Sequence, residues 1–139
     1  MFLFAALLLV SATNKIFAND VNVTPAVMQT FESEFLNVSN VQWSVIDHLY
    51  KAEFKEDGEE TIAFFNPDGS LVARCHYFSI SELPRTMQHS LKADAAFYNV
   101  TEIFEVQNDA GADYYATVQK GSETKVLKAD ANKWIEYKK

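Results

Sequence analysis

Cysteine, proline and glycine are scarce in this chain of 139 residues, which contains one, three and four of them respectively. The single cysteine, Cys75, excludes an internal disulfide, so stability must come from a packed core. The scarcity of glycine and proline leaves no room for a low-complexity linker. Hydrophobic residues make up 48% of the chain and aromatic residues 14%, which is enough for the core of one globular domain.

Basic residues are also in deficit. Twelve lysines and arginines face 19 aspartates and glutamates, a formal net charge of −7 at pH 7. This charge has the wrong sign for a surface that attracts phosphates, so we expect no nucleic-acid partner. An acidic surface instead favours partners that are basic or neutral.

The apolar run at residues 2–10 is too short to span a bilayer, which takes about 20 residues, and is typical of the core of a signal peptide. The segment Ile16-Phe17-Ala18 has a small residue at its end, which predicts cleavage before Asn19. We therefore predict a signal peptide at residues 1–18 and a periplasmic or secreted domain at residues 19–139. A buried N-terminal helix is the alternative, although the run lacks the amphipathic spacing of such a helix. No cysteine follows the cleavage site to accept a lipid, so we expect no stable membrane anchor.

The pattern of one helix followed by four strands occurs twice. Thr24 and Pro25 can begin a helix that continues to about residue 37, and Ser81 can cap a second one that ends near residue 96. Period-two alternation predicts the strands, separated by turns such as Asp57-Gly58. The predicted strands are residues 41–45, 50–55, 61–65 and 71–78 in the first half, and 100–106, 114–119, 124–129 and 134–138 in the second.

The two halves also share residues, which indicates an internal duplication with repeats at about residues 22–80 and 81–139. Pro25, Met28 and Gln29 of the first helix correspond to Pro84, Met87 and Gln88 of the second. Each copy of about 60 residues is small for independent stability, so we expect the copies to share a core or a continuous sheet. The predicted fold is α+β, with one antiparallel sheet and both helices on one face.

Four segments carry a resemblance to a known family: Val41-Gln42-Trp43, residues 50–54, residues 63–69 and Leu83-Pro84. They resemble the PepSY-like, beta-lactamase-inhibitor-like domains exported by Bacteroidetes, over essentially all of residues 22–138. The resemblance implies two helix-plus-four-strand repeats, and relatedness to modules suspected of restraining peptidases. It supplies no catalytic residue.

No group of residues has the spacing of a catalytic or metal site. The histidines lack the His-x-x-x-His spacing of a zinc site, and residues 57–60 lack the pattern of a calcium loop. Cys75 and His76 are adjacent in a predicted strand, so their side chains should point to opposite faces. We therefore predict no enzyme activity, no metal and no cofactor.

Aromatic residues are the remaining functional signal. In residues 61–65 both strand parities are apolar, so some rings should reach the sheet face that the helices leave open. Such rings could bind a partner, or be buried in dimer packing or at a sheet edge. The candidate binding surface comprises Trp43, Tyr50, Phe64, Tyr114 and Tyr115. We expect a binding or inhibitor-like module for an envelope or secreted protein or peptide; the alternative is a carrier of a small apolar or glycan ligand in a cleft between the repeats.

Overall fold

A computed structural model describes residues 21–138 of the chain. The predicted signal peptide lies outside the described residues. The described chain contains two α-helices, α1 (Pro25–Glu34) and α2 (Arg85–Asp94), and a short 3-10 helix (Ile80–Glu82). Its strands are β1 (Val38–Ile46), β2 (Leu49–Glu56), β3 (Glu59–Phe65), β4 (Leu71–Phe78), β5 (Asn99–Asn108), β6 (Gly111–Lys120), β7 (Glu123–Asp130) and β8 (Lys133–Glu136).

The eight strands form one antiparallel sheet in chain order, from β1 to β8. The helix α2 interrupts the chain between β4 and β5, yet these two strands pair directly, with Arg74 opposite Gln107 and Phe78 opposite Ile103. The two helix-plus-four-strand units therefore share one continuous sheet. This confirms the predicted α+β fold.

The two helices begin differently. The Thr24 hydroxyl accepts a hydrogen bond from the Val27 backbone N–H at 3.3 Å, as expected for a cap of α1. The predicted cap of α2 was wrong, because Ser81 lies inside the 3-10 helix. There the Glu82 carboxylate accepts hydrogen bonds from both the backbone N–H and the hydroxyl of Ser79, at 2.6 and 2.9 Å. The helix α2 itself follows Pro84, whose fixed φ suits a helix start.

The turn between β3 and β4 fixes the start of α1 on the sheet. The Thr24 hydroxyl donates a hydrogen bond to the carbonyl of Pro67 in this turn at 3.1 Å. Gly69 has a φ of +92°, and a Cβ atom there would lie 2.7 Å from the carbonyl oxygen of Ala26 in α1. Glycine is required at this position both for its conformation and for the close approach of the helix backbone.

Both helices pack on the same face of the sheet, which we call the helix face. One cluster joins α1 to the first four strands: Val27, Phe31, Phe35, Ala52, Phe54, Ala63 and Phe65. A second joins α2 to the last four: Leu83, Leu91, Ala95, Ile103, Ala116, Val118, Leu127 and Trp134. In β4, residues of one parity contact both clusters, since the Arg74 guanidinium lies 4.5 Å from the Phe35 ring centre and Phe78 packs on the second cluster. The helices therefore cover the two halves of a single face.

Candidate functional site

A third apolar cluster occupies the opposite side of the sheet, which we call the helix-free face. Its buried members are Ile62, Phe64, Ala73, Cys75, Phe104, Val106, Tyr115 and Val126. They belong to β3 through β7, so the cluster crosses the junction between the two repeats. The helix-free face of this sheet is thus apolar at its centre, whereas the uncovered face of an antiparallel sheet is normally polar.

Four rings form a row across this cluster, which we call the aromatic row. The ring centres of Tyr77 and Phe104 lie 5.5 Å apart across the β4–β5 junction. Phe104 stacks on Tyr115 at 5.3 Å with an interplanar angle of 11°, and Tyr115 meets the edge of Tyr137 at 5.6 Å. These distances are typical of favourable aromatic pairs. The row therefore links residues from both repeats and from the C-terminal segment.

The five candidate residues predicted from the sequence divide between the two faces. Trp43 packs 5.1 Å from Phe31 of α1, and Tyr50 lies in the same helix-face cluster. Tyr114 packs on the α2 cluster, also on the helix face. Phe64 and Tyr115 lie together on the helix-free face. Of the five, only these two lie on the face that the helices leave open, and their role in binding stays a prediction.

The centre and the rim of the helix-free face differ in exposure. Phe64 is fully buried and Tyr115 is 7% exposed, because neighbouring side chains cover these rings. The accessible apolar surface comes instead from residues packed around them: Ile46, Leu49, Val72, Tyr77 and Tyr137. The sequence analysis missed this rim. Alternation in β4 places Tyr77 on the same face as Ala73 and Cys75, but only the strand register shows that Phe104 and Tyr115 are their neighbours.

A buried lysine lies on the same face. Lys51 in β2 is opposite Phe64 in β3, and its side chain is only 5% exposed. Its ammonium forms an ion pair with the Glu53 carboxylate at 3.0 Å, while the Glu53 side chain is 44% exposed. The pair places the lysine stem beside the apolar cluster and turns its charge toward a carboxylate that water can reach.

Burial disfavours ionisation of the Cys75 and Tyr77 side chains on this face. Burial raises the pKa of the Cys75 thiol from 9.0 to about 12, against a smaller opposing effect of the Lys51 charge. Burial also raises the pKa of Tyr77, and the nearby Cys75, Glu102 and Glu53 raise it further. A thiol with a raised pKa is a poor nucleophile. His76 lies on the opposite face, where its Nε2 is 2.7 Å from a Glu59 carboxylate oxygen, as the alternation predicts.

Residues 21–138 contain no group of three histidine, cysteine, aspartate or glutamate side chains positioned to hold a metal ion. Within the same range, no helix combines the length and apolar character that crossing a bilayer requires. The arrangement on the helix-free face is therefore one of surface contact: packed rings, a rim of apolar side chains, and charges at its border.

Comparison with known proteins supports the fold. No family model matches the chain, and no curated protein is similar to it. Solved structures are similar: a BLIP-like protein from Bacteroides fragilis has 16% identity and a TM-score of 0.74 over 85% of this chain and 87% of its own. A DUF2874 family protein from Bacteroides ovatus has 21% identity and a TM-score of 0.75, over 86% and 87%. A Bacteroides eggerthii protein described as a putative periplasmic protein has 16% identity and a TM-score of 0.76, over 83% of this chain and 87% of its own. The resemblance seen in the sequence is thus confirmed at the level of structure, and the chain has the fold of these BLIP-like and DUF2874 proteins of Bacteroides.

Proposed function

We propose that this chain is an exported, non-catalytic binding module that docks a protein or peptide on its helix-free face, in the periplasm or outside the cell. The observation that carries the proposal is the apolar cluster that crosses both repeats on that face. The likeness to a BLIP-like protein and to a protein described as a putative periplasmic protein agrees with an inhibitor-like module of the envelope.

The rim supplies the contact surface. Tyr77 and Tyr137 present rings that are partly buried against the cluster, and Ile135 in the edge strand β8 is 49% exposed. Tyrosine gives a large contact area with few rotatable bonds and a hydroxyl for hydrogen bonding, which suits protein interfaces. Phe64 and Tyr115 support this rim from below, since they pack in the same cluster. The proposed site thus keeps two of the five candidate residues as its floor.

Charge at the border of the face favours a basic or neutral partner. Lys51 and Lys128 are compensated by Glu53 and Asp113, at 3.0 and 3.1 Å. Glu102 forms no ion pair within residues 21–138, and its carboxylate accepts a hydrogen bond from the Thr117 hydroxyl at 3.3 Å. The uncompensated charge beside Tyr77 is therefore negative, and electrostatic complementarity would exclude acidic partners.

The alternative, a carrier of a small ligand between the repeats, has less support on this face. The strands β4 and β5 pair directly at the junction, and the rings of Tyr77 and Phe104 lie in contact across it. A carrier needs a concave cavity at that position, lined by side chains that leave it empty. Packed rings suit a broad contact with a macromolecule better.

Selection from a random peptide library, with the protein of residues 19–139 immobilised, tests the proposal. Selected peptides should be neutral or basic, and amide chemical shifts should change around Tyr77 and Tyr137. Replacing Tyr137 with serine should weaken binding about tenfold or more. The control is Val45→Ser, at a 54% exposed apolar residue whose parity places it on the helix face. Shift changes confined to the helix face, equal loss with both variants, or failure to select any peptide would contradict the proposal.

A further inference from the structure

The two repeats differ sharply in charge. Residues 22–80 contain three basic and nine acidic residues, a net charge of −6, whereas residues 81–139 contain eight and nine, a net charge of −1. Each basic side chain of the first repeat has a carboxylate partner: Lys51–Glu53, Lys55–Glu60 and Arg74–Glu56. The second repeat instead keeps cations that form no ion pair within the described chain.

Two of these unpaired cations, Arg85 and Lys92, lie on α2. Arg85, His89 and Lys92 follow one another at helical spacing along its exposed side, and they line one groove with Ser81 and Gln88. The backbone N–H of Trp134 in β8 donates to the Asp94 carboxylate at 2.7 Å, which ties the end of α2 to the sheet. The exposed side of α2 therefore carries two cations that have no ion-pair partner within residues 21–138, in a chain that is acidic overall.

An exposed ring stands at the end of this helix. Phe97 is 80% exposed, and the Lys120 ammonium lies 5.9 Å from its ring centre. The first repeat has a counterpart two residues before its own first strand, Leu36, which is 67% exposed. Leu36 has an acidic neighbourhood, since the adjacent Asn37 donates a side-chain hydrogen bond to Asp57. A protruding apolar side chain is thus combined with cations in the second repeat only.

We propose that this surface binds reversibly to an anionic lipid surface. We call it the basic α2 surface and define it as Arg85, Lys92, Phe97 and Lys120. Phe97 enters the interface between headgroups and acyl chains, and the cations contact the headgroups. Since the surface lies on the helix face, the helix-free face stays available to its partner, and the inference does not depend on the proposed function.

A lipid surface fits these observations better than an acidic protein does. A protein partner would need a pocket for Phe97, whereas a bilayer accepts a protruding ring without one. Near the surface, the Glu123 carboxylate is paired with Lys125 at 3.1 Å, and the carboxylates of Asp94 and Glu82 accept hydrogen bonds from the backbone N–H groups of Trp134 and Ser79. The acidic first repeat does not prevent binding, because its strand carboxylates nearest the second repeat lie in β3, two strand spacings or roughly 10 Å from β5, and charges are largely screened beyond about 8 Å at physiological salt.

Sedimentation with lipid vesicles tests the inference. The protein of residues 19–139 contains every described element and lacks the apolar run at residues 2–10, which could bind lipid by itself. It should sediment with vesicles of phosphatidylcholine containing one quarter phosphatidylglycerol, and not with phosphatidylcholine alone. Binding should fall steeply as the salt concentration is raised from about 0.05 M to about 0.5 M, because salt screens the attraction between the cations and the lipid headgroups.

Single substitutions identify the surface. Arg85→Gln or Lys92→Gln should each weaken the partition constant about fivefold, and Phe97→Ser about tenfold or more. The matched controls are Leu36→Ser, the exposed apolar residue of the other repeat, and Lys55→Gln, a paired cation; neither should change binding. All these side chains are at the surface, so circular dichroism should show an unchanged fold.

Three results would overturn the inference. They are equal binding to vesicles with and without phosphatidylglycerol, equal loss with Leu36→Ser and Phe97→Ser, and no sedimentation with either vesicle. Retention on immobilised poly-glutamate without vesicle binding would assign the basic α2 surface to an acidic protein instead. None of these results depends on whether a peptide binds the helix-free face, so failure here and failure of the proposed function are distinguishable.

Discussion

The buried Lys51 offers a quantitative test of how the helix-free face is stabilised. Its side chain combines an aliphatic stem beside Phe64 with an ammonium that is paired with Glu53 at 3.0 Å. If burial of the aliphatic stem provides the stabilisation, a methionine of similar length should replace the lysine with little loss of stability. If the ion pair is what matters, removing the charge should be costly.

The expected magnitudes separate these cases. Lys51→Met keeps the apolar stem and should change the free energy of unfolding by less than about 1 kcal/mol, since replacing a buried ion pair with an apolar side chain is often neutral. Lys51→Ala removes three methylenes and exposes Phe64, at about 0.8 kcal/mol for each methylene, so about 2 kcal/mol should be lost. Glu53→Gln leaves the ammonium of Lys51, whose side chain is only 5% exposed, without a countercharge, so about 3 kcal/mol should be lost.

Urea denaturation of residues 19–139, followed by circular dichroism, measures these changes. The slope of the unfolding free energy with urea should be the same for all variants, which confirms that the midpoints report stability. In Lys51→Met, adding Glu53→Gln should cost almost nothing further, because no ammonium remains to be left unpaired. If Lys51→Met loses as much stability as Lys51→Ala, the stem does not carry the stabilisation and our account of this face is wrong.

Three other predictions concern the turns, the thiol and the acid limb of stability. Gly69→Ala should destabilise the protein by more than about 2 kcal/mol and Gly58→Ala by only about 1 kcal/mol, because both have positive φ but only Gly69 abuts helix backbone; equal losses in urea would refute the contact. Cys75 should react with a thiol reagent at pH 8 only upon unfolding, since burial raises its pKa to about 12; rapid labelling of the native protein would contradict this. Hydrogen bonds from Ser70 lower the pKa of Asp68, and those from Ser79 lower that of Glu82, so their contribution is present above the unfolded values of 3.8 and 4.5 and is lost as pH falls through the folded ones. Asp68→Asn should therefore lower the unfolding midpoint at pH 6 more than at pH 3, and an equal shift at both pH values would refute the linkage.

The order of elements could be predicted from the sequence because local signals for it are strong. Helical spacing, alternation and glycine turns each depend on a few neighbouring residues, and the observed helices and strands agree with them. The start of α2 could not be predicted in the same way. Ser79 and Ser81 are equally suited to capping, and the Glu82 carboxylate selects Ser79 only once the 3-10 helix has formed.

The position of the aromatic rings could be predicted only in part. Alternation shows that Tyr114 and Tyr115 point to opposite faces, but not which of them meets a helix. That assignment follows from long-range packing: Tyr114 lies with the α2 cluster and Tyr115 with the helix-free cluster. Trp43 and Tyr50 have the parity that α1 covers, so they became part of a core instead of a surface.

The second repeat shows how the duplicated helix can be buried by a different strand. In the first repeat, α1 carries the large aromatic side chain of Phe31 on the side that faces the sheet, and Trp43 from β1 packs against it. In the second repeat the helix is covered from the other end of the sheet, where the Trp134 indole N–H in β8 donates to the carbonyl of Met87 at 3.3 Å. Each core is thus closed by a tryptophan from a different strand, so the two repeats are not symmetric in their packing. A binding surface that uses both copies therefore has no reason to be symmetric. The net charges of the two repeats, −6 and −1, differ in the same way.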